Sequence, residues 1–332
     1  MAIGSLGDDI KHNSNMIDLT IDLGGLRMAT PVTTASGTFG YGTEYADILD
    51  YTKLGAVTVK GVRRDPWPGN GMPRHCEVPG GLVNAIGLQG PGVESFIANH
   101  IPHYRMMAGK SVERAGAAKD AIPPLIVNIW GGSIEEYAEV AARLTGAPLV
   151  GAIECNVSCP NVKEGGHTFG HDPAVLARLV KAVRAATTLP LIVKLAPNVP
   201  DLRPYTAACE DNGADALALI NTIPAMVIDI NVRKPVLANV TGGLSGRCIH
   251  PVAVKCVYDA HRFSRLPILA MGGIHCWEDA VELMLAGASA VAVGTATFSA
   301  PETAAAVADG IAGYCERNGF SSARDITGAL AS

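Results

Sequence analysis

Cys159 is set among amide and hydroxyl side chains: Asn156, Ser158 and Asn161 lie within three residues of it, and Pro160 stiffens the backbone behind the sulfur. A thiol titrates near pH ~8.5 in isolation, so modestly electropositive surroundings make it a proton acceptor near neutrality. The asparagines can hold a polar ligand against it. The group therefore suits a general base or a nucleophile. The plainer alternative is a small packing residue, since free cysteines are commonly buried and inert. Cys155, four residues earlier on the apolar run that leads into the loop, is expected in the core.

A loop of this kind needs a rigid element to aim it. Apolar, β-rich runs at 31–35, 56–60, 125–130, 150–156, 191–195, 216–221, 268–271 and 290–294 alternate with helical patterns. The clearest helix is 172–187, where Asp172 can cap, Pro173 suits the first turn, and Val175, Leu176, Leu179, Val180 and Val183 form one stripe. Ile134, Tyr137, Ala138, Ala141 and Leu144 form a second stripe, and Trp277, Ala280, Val281 and Met284 a third. Near-continuous apolar strands fit a parallel sheet covered on both faces. Eight strand-then-helix units predict an α/β fold, a (β/α)8 TIM barrel in one domain, with a doubly wound open sheet as the alternative.

Barrel enzymes place their sites at the C-terminal ends of the strands. Here those ends carry Ser36, Lys60, Asn128, Asn156, Lys194, Asn221 with Thr222, Gly272 with Gly273, and Gly294 with Thr295. Charged and amide groups at the ends of apolar strands are costly to bury unpaired, so a polar ligand in the mouth accounts for them together. The glycine turns after strands seven and eight sit where many barrels bind phosphate with backbone N–H groups, and Gly242, Gly243, Ser245 and Gly246 can add donors. Neither a G-x-G-x-x-G nor a Walker motif accompanies them. A phosphate-bearing cofactor in a barrel fits better, and Lys194 beside the pyrimidine edge of a flavin would stabilise its anionic reduced ring.

Two segments break the rhythm. Residues 61–103, rich in proline and glycine, predict an ordered excursion over the barrel mouth. Residues 106–122, with Lys110, Glu113, Arg114, Lys119 and Asp120, read as a charged surface insertion. Residues 1–15 match neither a signal peptide nor an anchor and are expected to form a disordered tail ahead of a barrel domain spanning 16–332, with Met16 a candidate start.

Bulk composition narrows the partners. The chain of 332 residues is 48% hydrophobic but only 5% aromatic, with 37 glycines, which suits a core of small and branched aliphatics crossed by tight turns. A net charge of -5 without a basic cluster argues against nucleic acid. Eight scattered cysteines lack the paired spacing of zinc or iron–sulfur ligands, so no metal is expected on this chain, and a reduced, cytoplasmic location is.

The run Asn156-Val157-Ser158-Cys159-Pro160-Asn161-Val162-Lys163 with Gly165-Gly166 resembles the active-site loop of the class 1B dihydroorotate dehydrogenases. Along the chain, Ala35-Ser36-Gly37-Thr38-Phe39-Gly40, Lys60-Gly61, Asn84-Ala85-Ile86-Gly87-Leu88, Asn128, Lys194, Asn221-Thr222, Gly243-Leu244-Ser245-Gly246, Gly272-Gly273 and Gly294-Thr295 follow in that family's order. The resemblance implies FMN bound by Ser36, Lys60, Gly61, Asn128, Asn156, Lys194, Ile220, Gly246, Gly272, Gly273, Gly294 and Thr295. It implies dihydroorotate held by Lys60, Asn84, Ala85, Ile86, Gly87, Leu88, Asn156, Asn221 and Thr222, and oxidised to orotate with Cys159 as the base. It also implies a homodimer core served by a subunit carrying FAD and a [2Fe-2S] cluster that passes electrons to NAD, in de novo pyrimidine synthesis and away from the membrane. Cysteine at 159, where the membrane-bound class has serine, favours class 1. Gly90 departs from the family's asparagine, and Arg247-Cys248 replaces a less charged run.

Two other enzyme readings stay open on residues alone. One is an FMN barrel acting on an uncharged dihydropyrimidine; the other is a flavin-free phosphate-binding lyase or isomerase with Lys194 as a Schiff-base or general-base lysine. A non-catalytic binding scaffold would not need intact strand ends. His167, His171 and His275 are expected at the surface or at caps, and Trp67, Trp130 and Trp277 in packing.

Overall fold

The structure, a computed structural model, describes residues 17–118, 121–157 and 169–331. The tail expected at 1–15, residues Lys119 and Asp120, and the loop residues Ser158, Cys159 and His167 lie outside the described residues.

Eight parallel strands form the central sheet: β1 (Val32–Thr34), β2 (Val57–Val62), β3 (Leu125–Ile129), β4 (Val150–Asn156), β5 (Leu191–Lys194), β6 (Ala216–Leu219), β7 (Ile268–Met271) and β8 (Ala290–Val293). Each strand lies beside its neighbours in chain order, and β8 returns to pair with β1, giving the expected TIM barrel. The seam between β1 and β2 is closed by side chains. The Thr34 hydroxyl donates to the Thr58 carbonyl and accepts from the Thr58 N–H, both at 3.1 Å, and the Thr33 and Thr58 hydroxyls lie 3.1 Å apart.

The barrel interior is built from alanines and branched aliphatics, which explains the low aromatic content. Ala56, Ile126, Ala152, Ile192, Ala216, Ala218, Leu269, Ala290 and Ala292 form one buried cluster. A hairpin of Ile21–Leu23 and Leu26–Met28 closes that cluster at the N-terminal end of the strands, burying Ile21, Leu23, Leu26 and Met28 against it. Alternate residues point outward under the helices, so the strands are apolar on both faces.

Seven α-helices of eight or more residues cover the outside among the described residues: α1 (Ile101–Arg114), α2 (Ile134–Leu144), α3 (Pro173–Ala186), α4 (Arg203–Glu210), α5 (His250–Phe263), α6 (Trp277–Leu285) and α7 (Thr303–Asn318). Asp172 caps α3 through Ala174 N at 2.8 Å, and Ser133 caps α2 through Glu136 N at 3.2 Å. The first strand departs from the expected pattern, because only a 3-10 turn, Tyr51–Lys53, stands between β1 and β2 where an α-helix was expected.

Residues 106–122 also require a correction. Residues 106–114 are the second half of α1 and no surface insertion: Ala108, Ser111 and Val112 are buried, continuing the stripe begun by Ile101 and Tyr104. The Ser111 hydroxyl donates to Leu49 O at 3.0 Å and accepts from Tyr51 N at 3.2 Å, tying the helix to the 3-10 turn. The charged residues occupy the outer face of an amphipathic helix, and a reading weighted on charge misses the stripe beneath it.

The excursion over the mouth is ordered. His75–Val78 and Gly81–Asn84 form a hairpin that joins Thr241–Ser245 and Ile223–Met226 in a four-stranded antiparallel sheet. The connections after β2 and after β6 thus meet above the barrel. Gly242 and Gly243, expected as loop donors, lie within one of these strands, with Gly243 opposite Asn84. Among the described residues no helix is long and apolar enough to cross a membrane, and no group of three or more His, Cys, Asp or Glu is placed to hold a metal ion.

Candidate active site

The two-residue period of the strands decides which side chains reach the mouth. On β4, Ala152 sits in the interior cluster, so Glu154 and Asn156 continue inward above it, while Ile153 and Cys155 face the helices. Burial pushes the Cys155 thiol well above its usual range, with Cys209 and Glu154 adding to the effect, so this cysteine is a packing group as expected. On β3 Asn128 follows Ile126, and on β5 Lys194 follows Ile192, in the same way. Register then sets Asn128 beside Glu154 and Asn156 beside Lys194.

These side chains form a connected polar floor. Asn128 Nδ2 donates to Glu154 Oε1 at 2.5 Å, and Lys194 Nζ lies 3.4 Å from the same oxygen and 3.5 Å from Ser36 Oγ. Glu154 is 0% exposed, and Asn128 and Lys194 are also buried. Asn128 Oδ1 and Glu154 Oε2 are buried with no hydrogen-bond partner among the described residues. Beside the floor, Asn221 Nδ2 donates to Asn156 Oδ1 at 3.0 Å, and Asn221 Oδ1 accepts from Thr222 N at 2.8 Å. Tyr137 holds the backbone of this corner by donating to Asn156 O at 2.7 Å.

A cavity of about 670 Å³ opens above the floor, within the usual range for small-molecule sites. Its wall includes Ser36, Lys60, Gly61, Asn128, Asn156, Lys194, Ile220, Gly246, Gly272, Gly273, Gly294 and Thr295, and also Asn84, Ile86, Gly87, Leu88, Asn221 and Thr222. Ala85 is not on the wall. It is buried with Val83 and Leu237 under the antiparallel sheet, and its N–H and C=O are taken by Arg74 O and Asn70 Nδ2. Burial, with the nearby Arg74, weakens the hold of Lys60 on its proton, although Glu44 opposes this.

The glycine turns are shaped by close approach. Gly246 has φ +104, and a Cβ there would lie 2.6 Å from Gly81 Cα, so the excursion hairpin can rest on this turn only if it is bare. Gly273 has φ +78, and a Cβ would meet the His250 Cβ at 2.6 Å. His250 braces this turn through Nδ1 to Gly272 O at 2.9 Å, and its Nε2 lies 3.0 Å from Glu282 Oε2. Thr295 Oγ1 donates to Ser245 Oγ at 2.8 Å, joining the end of β8 to the antiparallel sheet.

Sequence reasoning passed over Glu154 in the floor beneath the cavity and several residues of the wall. Glu154 left a signal: a carboxylate on the inward period of an otherwise apolar strand must have a buried partner. Arg74, His75 and Glu77 also line the cavity and left none, because only the folding of the hairpin over the mouth brings them there.

The dihydroorotate dehydrogenase family model matches residues 18–314. The dihydroorotate dehydrogenase B (NAD(+)) catalytic subunit of Pelobacter propionicus is 49% identical over 313 residues, covering 94% of this chain and 98% of that protein. The protein of the same name from Parabacteroides distasonis is 44% identical over 315 residues, covering 95% and 99%. Among solved structures, a DHODH in complex with ferulenol from Eimeria tenella superposes with a TM-score of 0.76 over 97% of this chain and 90% of its own, at 24% identity, and so speaks to the fold. With a family match over most of its length and relatives near half identity, the chain belongs to the dihydroorotate dehydrogenase family and is an oxidoreductase of that family.

Proposed function

We propose that the protein oxidises (S)-dihydroorotate to orotate with FMN as its cofactor and Cys159 as the base, and that it is the catalytic subunit of an NAD-linked enzyme. The observation that carries this reading is the cavity wall, where two lysines and a set of amides converge at the C-terminal ends of a barrel. Each amide offers a donor and an acceptor, which suits a substrate ring that is itself built of amides. Asn156 and Asn221, joined to each other on the cavity wall, set their amides where that ring would lie, and Lys60 can meet the substrate carboxylate.

The residues also fit FMN. The bare turns at Gly246, Gly272–Gly273 and Gly294–Thr295 leave room for a phosphate against backbone N–H groups. The open oxygen of Asn128 and the charge of Lys194 on the floor suit the polar edge of an isoalloxazine. When bound, FMN supplies the two-electron acceptor for the hydride leaving C6 of the substrate. The chain's own part would be to hold the ring through Asn128, Lys194 and the glycine turns, to exclude water beneath the hairpin sheet, and to take the C5 proton on the Cys159 sulfur.

The names of the relatives, catalytic subunits of an NAD(+)-dependent enzyme, support a partner subunit, for which FAD and a [2Fe-2S] cluster would be the electron carriers. A homodimeric core and a cytoplasmic location belong to the same reading. Cofactor content tests it: the purified protein releases FMN stoichiometrically on heating, whereas a colourless protein that takes up no added FMN would return the cavity to a flavin-free phosphate ligand.

The turn geometry gives a separate expectation. In the Gly273→Ala variant the new methyl collides with His250, and FMN affinity by fluorescence titration falls tenfold or more, about 1.4 kcal/mol. Unaltered affinity would place the phosphate elsewhere.

A further inference from the structure

The buried carboxylate of Glu154 has no part in the reaction as described, yet it occupies the centre of the floor. Its Oε1 accepts from Asn128 Nδ2 and lies 3.4 Å from Lys194 Nζ, while Oε2 is buried with no hydrogen-bond partner among the described residues. Neither Glu154 nor Lys194 has appreciable solvent access, so their charges are poorly screened. Glu154 is the only carboxylate that approaches Lys194 within 4 Å among the described residues.

We infer that Glu154 is a positioning residue that fixes Lys194 and Asn128 under the flavin and, as the counter-ion of Lys194, sets the net charge that the floor presents to it. The inference rests on the cofactor reading above. Bound FMN would carry one more negative charge after gaining two electrons and one proton, and the floor would offer it the Lys194–Glu154 ion pair of zero net charge. The cation alone would favour the reduced ring; the carboxylate offsets it. The flavin is thereby kept a moderate oxidant, able to accept electrons from the substrate and still release them to a further carrier.

The sign of the effect follows from charge alone. Glu154→Gln keeps the shape and an oxygen to accept from Asn128, but leaves the floor one charge more positive. Lys194→Met leaves it one charge more negative. The double variant E154Q/K194M removes both charges, a change that buried pairs commonly tolerate.

Spectroelectrochemistry of the FMN-loaded proteins is the test. E154Q is expected to stabilise the reduced flavin about tenfold, which is about 30 mV more positive for a two-electron couple. K194M shifts the other way, and E154Q/K194M lies above K194M by a similar amount. The last comparison serves if E154Q alone does not fold, since it also isolates the carboxylate. A purely structural Glu154 would alter stability and leave the potentials in place.

An E154Q potential equal to or below that of the wild type, or a double variant no higher than K194M, overturns the inference while the cofactor reading stands. A wild-type protein that takes up no FMN overturns the cofactor reading and this inference with it.

Discussion

Cys159→Ala is expected to slow reduction of the bound flavin by dihydroorotate about 10²–10⁴-fold, the range typical of losing a positioned general base. The flavin spectrum and content stay as in the wild type, because the thiol is assigned to the proton and not to the cofactor. Cys159 follows Asn156 by three residues, and Asn156 lies on the cavity wall with its side chain tied to Asn221 and its backbone tied to Tyr137. A base delivered from that strand end would act beside the amides that hold the ring. Stopped-flow reduction without oxygen is the measurement. Its pH dependence carries a second check: the wild-type rate rises with pH as the thiol loses its proton, and C159A lacks that rise. An alanine variant as fast as the wild type would assign the base to another group.

The second large effect concerns stability. Glu136→Ala is expected to cost about 3–5 kcal/mol in chemical denaturation, because it strands a buried guanidinium. Arg63 Nε donates to Glu136 Oε1 at 2.8 Å and its Nη2 to Oε2 at 3.3 Å, and both residues are buried. The guanidinium carbon lies 4.9 Å from the Trp67 ring centroid and 4.7 Å from that of Trp130, so the cation is stacked as well as paired. Glu136 also accepts from Gly132 N at 2.9 Å, which secures the turn into α2. Arg63 stands three residues after Lys60, and Trp67 Nε1 donates to Gly87 O at 2.9 Å. The same contacts therefore anchor the excursion that carries the candidate substrate loop. A double variant, Arg63→Met with Glu136→Leu, should recover much of the loss, since replacing a buried pair by apolar residues is often neutral. If Glu136→Ala costs less than ~1 kcal/mol, the pair is surface-like and the loop is held by other contacts.

The barrel was legible because its strands are apolar runs bounded by turns, and β4 and β7 begin and end where the pattern says they should. The polar strand ends were legible for the same reason: Lys60, Asn128, Asn156 and Lys194 interrupt runs that are otherwise aliphatic. What the pattern hid lies off the barrel. The missing helix after β1 is replaced by a 3-10 turn that Ser111 ties to the helix, a tertiary contact with no local signature, while the helical stripe through 106–114 was present in the sequence but masked by its charged outer face. The antiparallel sheet over the mouth pairs Gly81–Asn84 with Thr241–Ser245 across nearly half the chain, and glycine-rich strands carry little β signal. Ala85 follows from the same cause, since its position in a motif says nothing of which way a hairpin turns it. The tryptophans were expected in packing, and two of them pack against a cation that charge-blind reading could not supply.

The most direct test of the account is an anaerobic titration of the purified, FMN-loaded protein with (S)-dihydroorotate, followed in the visible spectrum. The account predicts that the flavin band near ~450 nm bleaches in proportion to substrate added and that orotate appears in equal amount. A band that persists with dihydroorotate, yet bleaches with an uncharged dihydropyrimidine or only with a chemical reductant, would contradict it.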